Sequence, residues 1–164
     1  MKKFVTYLPL IATVLGVLAL VSLFMPMVEL EVVEGSYKGW ETVVGYSKKF
    51  EVFGNETKIK FLEFSVMNLV PYVLVLVGLS CAATLRKANN PTSAWIGAVC
   101  FIAAGVLFFM APNFLQFGEG LEGAEASDFE LASGAMLAAI GSIIAGAALV
   151  VSNLMNKGET ASAE

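Results

Sequence analysis

The sequence predicts a membrane protein with four transmembrane helices and a small antiparallel β domain in the first extracytoplasmic loop. Hydrophobic residues make up 57% of the 164 residues and charged residues only 15%, whereas a soluble domain carries about a quarter charged residues. No Asp, Glu, Lys or Arg occurs within 4–28, 64–85, 88–118 or 131–156. About 20 helical residues cross a hydrocarbon layer of about 30 Å, so each of these stretches is long enough for one crossing.

The four helices are predicted at 4–25, 66–85, 92–111 and 131–154. Pro112 marks the end of the third helix, because a proline inside a helix removes a hydrogen bond and clashes with the preceding turn. A cleaved signal peptide is the alternative for the first helix, but the apolar run is long for such a peptide and no A-x-A-like site precedes Pro26. The rest of this single membrane domain is an outer β segment at 26–65, an inner loop at 86–91, an outer acidic loop at 112–130 and a cytoplasmic tail at 155–164.

The distribution of basic residues predicts that both termini are cytoplasmic. Bases near the ends of spans mark the cytoplasmic side, and on one side of a four-span chain they are Lys2, Lys3, Arg86, Lys87 and Lys157. The segments on the other side, 26–65 and 112–130, contain twelve acids and five bases. This pattern indicates an integral protein of the plasma membrane, surrounded by lipid.

The first outer segment has the patterning of short strands. Apolar and acidic residues alternate over 27–34, which is typical of a half-buried strand. Residues 48–64 read as a hairpin around the turn Gly54-Asn55. Pairing across that turn is predicted to place Val52 opposite Thr57, Glu51 opposite Lys58 and Phe50 opposite Ile59. The residues between these strands, 35–47, are predicted to form a third, bent strand.

The strands of this β segment are too few to enclose a two-sided core of their own. We therefore expect the apolar face of the sheet to rest on the outer ends of the helices, against Phe114, Leu115 and Phe117. Trp40 has two interpretations. It is either the core residue of this small sheet or, with Tyr37, an exposed contact for a protein partner, since tryptophan is enriched among interface hot spots.

The acidic stretch that ends the second outer loop, from 118 to 131, holds five acids and no base. Ser127 and Glu130 match the S-x-x-E pattern of a capping box, directly before the apolar run of the fourth helix. The alternative is a cation site, because acids recur at every third residue from Glu119 to Asp128. A calcium site also needs a turn that brings its carboxylates together, and no EF-hand-like spacing is present. We therefore predict a helix cap and a solvated loop, and no metal.

The chain lacks the residue patterns of common catalytic sites. It has no histidine, which removes Ser-His and Cys-His catalytic arrangements and most zinc and copper sites. Its two cysteines do not form a C-x-x-C motif, and no glycine-rich loop is followed by a lysine in a nucleotide-binding pattern. We predict no enzyme activity, no catalytic or cofactor-binding residue, and no nucleic-acid partner.

The fourth predicted helix carries small residues at every fourth position. They are Gly134, Ala138, Ser142 and Gly146. Such a stripe allows two membrane helices to approach closely. It predicts packing within the bundle, with self-association of two copies as the alternative.

The order of these segments resembles that of the claudin and peripheral-myelin-protein group of four-helix membrane proteins. The likeness lies in topology along the whole chain, and Gly39-Trp40 matches part of the tryptophan-containing signature in the group's first outer loop. The two cysteines of that signature are absent, since 26–65 contains no cysteine. The resemblance implies the plan of the fold and carries no tight-junction role to this chain.

Two functions are compatible with these features. The first is a non-catalytic membrane protein whose outer β domain contacts a protein partner, as an accessory subunit or an adhesion-type module. The second is transport or binding of a small molecule or lipid through a neutral path in the bundle, lined by Ser80, Thr84, Ser142 or Asn68. The first is favoured because no ionisable residue falls within a span.

Overall fold

The structure, a computed structural model, describes residues 2–30, 35–52, 55–88 and 90–161. Four of its helices are long and apolar enough to cross a membrane, as predicted. They are α1 (Lys2–Val21), α3 (Val66–Ala88), α4 (Pro91–Phe109) and α5 (Ser133–Ala161). A fifth, short helix, α2, covers Gly39–Val44.

The long helices differ from the prediction at their ends. A 3-10 turn at Ser22–Phe24 follows α1, and another at Ala111–Phe114 follows α4 and contains Pro112. The last helix begins at Ser133 rather than 131 and continues through the predicted tail to Ala161. The hydropathy pattern finds the apolar runs, but it does not show where the backbone tightens from an α-helix into a 3-10 turn.

The four long helices form a bundle in which helices adjacent in sequence are also adjacent in space. Helix α5 packs against α1 and α4, and α3 packs against the same two helices. Phe101 of α4 is fully buried at the centre. A Cβ atom placed on Gly16 of α1 or on Gly78 of α3 would lie 2.9 Å from its ring, so a glycine on each of these two helices leaves room for this side chain.

Five strands lie at one end of the bundle, which we call the β end. They are β1 (Pro26–Leu30), β2 (Gly35–Lys38), β3 (Tyr46–Val52), β4 (Asn55–Leu62) and β5 (Phe129–Leu131). Strands β2, β1 and β5 form an antiparallel sheet in that order, and β3 and β4 form a separate antiparallel hairpin. We call these strands, together with α2 and the turns between 111 and 128, the β domain.

The hairpin exists, but its predicted register is wrong by two residues. Phe50 pairs with Thr57, Lys49 with Lys58 and Val52 with Asn55. Asn55 therefore belongs to β4 rather than to the turn, and Gly54, its predicted partner in the turn, lies outside the described residues. Side chains alternate with a period of two, so a shift by two leaves the same residues on each face of the hairpin from Ser47 to Lys60. The apolar pattern could not distinguish the two registers.

Two other local predictions fail at the β end. The segment predicted as one bent strand is divided into β2, α2 and the start of β3. The capping box is also absent, because Ser127 lies in a 3-10 turn and Glu130 lies in β5, before α5 begins. Residues 129–131 pair with β1, from Val28 to Leu30, and this long-range pairing overrides the local S-x-x-E match. The last four residues of the strand predicted at 27–34 lie outside the described residues.

The β domain has an apolar core of its own beside the bundle. Its buried members are Val28, Tyr37, Leu62, Leu115 and Phe129. Phe117 is partly buried against them and stacks on Phe129, with ring centroids 5.3 Å apart. The predicted packing of the strands on Leu115 and Phe117 is therefore confirmed, but the prediction that the sheet has no core of its own and rests on the helix ends is wrong, because the second outer loop supplies the other side of a separate core. Phe114 contributes its backbone carbonyl instead, which accepts a hydrogen bond from Ser65.

Candidate functional site

The residues on either side of helix α2 fix where it begins and ends. Lys38 precedes it in an extended conformation, and its backbone N–H donates to the Glu41 carboxylate at 2.8 Å. This is half of a capping box, with the acid in the first turn where the helix dipole favours it. Gly45 ends the helix with a φ of 96°, a left-handed conformation that only glycine adopts at low cost.

Three hydrogen bonds fix α2 across the ends of two long helices. The N–H of Gly39 donates to the carbonyl of Met25 at 3.1 Å, just beyond α1. The N–H of Ser65 donates to the carbonyl of Val43 at 3.0 Å, and the Asn68 side chain donates to the carbonyl of Thr42 at 3.3 Å. Both ends of α2 are therefore tied to the bundle.

The structure separates the two residues predicted to contact a partner. Trp40 is 39% exposed on the outward face of α2 and belongs to neither apolar core. Tyr37 is only 9% exposed, with its ring packed edge-on against Tyr46 and tilted against Phe129. Burial raises the pKa of its hydroxyl, with smaller contributions from Tyr46 and Glu41. Tyr37 thus offers little surface to another molecule.

The hairpin has charged residues along most of its length. We call Ser47–Val52 and Asn55–Lys60 the hairpin arm. Lys49 and Glu56 form an ion pair of 2.7 Å, with side chains 68% and 69% exposed. Four further charged side chains of the arm are exposed: Lys48, Glu51, Lys58 and Lys60.

The acidic loop follows the surface of the β domain beside this arm. A Cβ atom placed on Gly118 would meet the backbone carbonyl of Lys60, so the loop starts directly against β4. Within the loop, the N–H of Glu125 donates to the Asp128 carboxylate at 2.8 Å. Across the described part of the chain, no three acidic, cysteine or histidine side chains come close enough to hold a metal ion.

The small-residue stripe of α5 lies inside the bundle. A Cβ atom on Gly146 would lie 2.9 Å from the carbonyl oxygen of Ala98 on α4, and one on Gly134 would meet the carbonyl of Pro26. Ala138 and Ser142, between them, are fully buried. The stripe therefore contacts two different segments of the same chain and leaves little surface for a second copy.

The four polar residues considered for a neutral path are not arranged along one. Ser80 and Thr84 are exposed, and each donates its hydroxyl to the carbonyl four residues earlier. Asn68 and Ser142 are buried, and the Ser142 hydroxyl has no hydrogen-bond partner among the described residues. An open groove of about 470 Å³ lies elsewhere, at the β end, and is lined by Phe109, Pro112, Asn113, Ala126, Phe129, Glu130, Leu131 and Met136.

Sequence reasoning missed Ser65, which joins several elements of the site. Its hydroxyl accepts from the N–H of Asn68 at 3.3 Å, which makes it the N-cap of α3, and donates to the carbonyl of Phe114 at 2.6 Å. A serine directly before an apolar run is a recognisable cap signal.

Comparison with protein-family models, curated proteins and solved structures gave no match to this chain. The topological resemblance to the claudin group therefore stays a prediction.

Proposed function

We propose that the protein is a non-catalytic integral membrane protein of the plasma membrane, with cytoplasmic termini and an outer β domain that contacts a protein partner. The role is that of an accessory subunit or an adhesion-type module. Four helices of membrane-spanning length and composition support the membrane placement. The bases at both termini and in the short loop between α3 and α4 support the orientation. The β end is then the outer end.

The hairpin arm is the observation that carries the partner contact. It presents four lysines and two glutamates, all exposed, and among the described strands β3 pairs only with β4. Lysines along such an open edge discourage indiscriminate strand pairing. Charged side chains at a contact surface chiefly determine which partner binds and how fast it associates.

The charge pattern indicates the kind of partner. The arm has a net charge of +2, whereas the neighbouring segment from Glu119 to Glu130 has five acids and no base. A partner that fits would present acidic residues to the arm and basic residues to the loop. Association should then weaken with rising salt concentration, because exposed charges are screened.

Transport through the bundle has less support. The candidate spans contain no Asp, Glu, Lys, Arg or His, whereas proton-coupled carriers and charged filters usually rely on one. The hydroxyls of Ser80 and Thr84 are already engaged with their own helix. We therefore place the function in the β domain rather than in the bundle.

Site-specific photo-crosslinking in the native host tests this proposal. A photoreactive residue replaces Thr57, which is exposed on the arm, and the same residue at Ile140, exposed on α5, serves as the matched control. We expect one defined protein adduct from position 57 but not from position 140. Reversing the charges of Lys49 and Lys58 should reduce that adduct. Equal labelling at the two positions, or only lipid adducts at position 57, would refute the partner contact.

A further inference from the structure

A band of exposed apolar side chains borders α2. Trp40 and Val44 lie one helical turn apart and are 39% and 63% exposed. Phe24, in the turn that follows α1, is 70% exposed, and Phe64, just before α3, is 56% exposed. We call these four residues the α2 rim. Phe24 and Phe64 adjoin Met25 and Ser65, which hydrogen-bond to the two ends of α2. Large apolar side chains exposed together in this way mark contact with lipid or another molecule.

The helix lengths determine the height of α2 in the membrane. Counting from Arg86 toward the β end, about 20 helical residues cross about 30 Å of hydrocarbon. This count reaches Val66, the first residue of α3. The adjacent residue, Ser65, holds one end of α2 through Val43, and Met25, next to the candidate span Tyr7–Phe24, holds the other end. Helix α2 therefore lies at the boundary between hydrocarbon and headgroups.

The two faces of α2 have the polarity expected for a helix at this boundary. Thr42 and Val43 are 2% and 5% exposed and face the bundle. The outward face carries Trp40 and Val44, while the Glu41 carboxylate is turned back to the N–H of Lys38. The rim is continuous along the chain with exposed apolar residues of the spans on both sides, Val21 of α1 and Val66 of α3. Tryptophan is enriched at the level of the headgroups.

We propose that α2 is an interfacial anchor whose rim, centred on Trp40 and Val44, inserts among the lipids of the outer leaflet. This inference rests on the membrane placement proposed above and not on a protein partner. Insertion at α2 sets the tilt of the β domain over the membrane. It also withdraws Trp40 from soluble molecules and leaves the hairpin arm as the contact surface.

Tryptophan fluorescence tests this proposal, because Trp40 and Trp95 are the only two tryptophans in the chain. The full-length Trp95→Phe variant is reconstituted in phosphatidylcholine nanodiscs with acyl chains brominated either near the headgroup or near the chain end. Emission from Trp40 should fall in brominated lipid, more strongly with bromine near the headgroup. Aqueous iodide should quench it weakly.

Two matched variants distinguish failure of the membrane placement from failure of the interfacial anchor. In Trp40→Phe, the remaining Trp95 lies in α4 and is 44% exposed, so its emission should fall in brominated lipid if the spans are embedded. If it does not, the membrane placement itself fails. A single tryptophan at position 57, in a chain with Trp40→Phe and Trp95→Phe, should respond to iodide and not to bromine.

Two results would overturn the interfacial anchor alone, provided that Trp95 is quenched by brominated lipid. If Trp40 behaves like the tryptophan at position 57, the rim faces water and is free for a soluble partner. If Trp40 resists both quenchers, protein covers the rim, either a partner or a second copy.

Discussion

The hydroxyl of Ser65 donates to the backbone carbonyl of Phe114 at 2.6 Å, across 49 positions of sequence. The same residue caps α3 through the N–H of Asn68 and holds α2 through the carbonyl of Val43. Ser65 is 2% exposed, so its own hydroxyl and N–H have no ready access to water. One small side chain thus connects the first outer segment, the second outer loop and the bundle.

Ser65→Ala should destabilise the protein by about 1 to 3 kcal/mol. Loss of an N-cap costs about 1 kcal/mol, and loss of the part-buried hydrogen bond to the Phe114 carbonyl adds to this, up to the cost of about 1 to 3 kcal/mol for a fully buried group left unpaired. Thermal unfolding in detergent measures the change. Ser80→Ala is the control, since that exposed hydroxyl bonds only within its own helix. Equal effects would mean that Ser65 has no special connecting role.

Replacing glycines of α5 with alanine should give opposite results at two positions. A Cβ atom on Gly146 would lie 2.9 Å from the carbonyl oxygen of Ala98, whereas one on Gly141 would come no closer than 3.8 Å to the atoms around it. Alanine favours a helix over glycine, so Gly141→Ala should leave the melting temperature unchanged or raise it. Gly146→Ala should lower it by forcing α4 away. A uniform response would show that close backbone contact is unimportant there.

Calcium should produce no large stabilisation. Ligand-linked stabilisation follows RT ln(1 + [L]/Kd), so a thousandfold excess over Kd would add about 4 kcal/mol. The described acids do not converge into a metal site, so millimolar calcium should leave the melting temperature nearly unchanged. A rise abolished by neutralising Glu119 and Glu122 together would make the loop a cation site.

Ionisation of Tyr37 should weaken the β domain at high pH. Burial raises the pKa of Tyr37 above 10.0 in the folded protein, while in the unfolded chain the group titrates near 10. As pH rises, the unfolded state releases this proton before the folded state does. The stabilisation that comes from the protonated Tyr37 is therefore fully present below about pH 10 and is lost as pH rises through the folded pKa. Tyr37→Phe should reduce the alkaline loss of stability, measured by denaturant unfolding. An identical slope in both proteins would contradict this.

The four apolar helices could be predicted from the sequence because each depends on local composition. Charges interrupt the apolar runs, and the period-two patterns of the strands show directly in the residue order. Features that depend on contacts distant in sequence could not be predicted. In sequence, Phe129–Leu131 match the start of a helix, but in the structure they pair with β1 as a strand. The hairpin has the same two faces in either register, so its apolar pattern does not determine the pairing.

In the candidate site, too, the residue types could be predicted from the sequence, but their burial and contacts could not. The sequence singled out Trp40 and Tyr37 as aromatic residues of an outer segment, but only the tertiary structure separates a buried tyrosine from an outward-facing tryptophan. Helix α2 has six residues, too few to show a helical period clearly. Its stability comes from hydrogen bonds to Met25, Ser65 and Asn68, which no local pattern reveals.

Cysteine labelling in intact cells tests the orientation on which both proposals depend. Cys81 and Cys100 are first replaced by alanine, and single cysteines are introduced at Glu122, exposed in the acidic loop, and at Thr160, near the end of α5. A membrane-impermeant maleimide should label position 122 in intact cells and position 160 only after permeabilisation. Labelling of position 160 in intact cells, with position 122 protected until permeabilisation, would place the β domain in the cytoplasm and contradict the account.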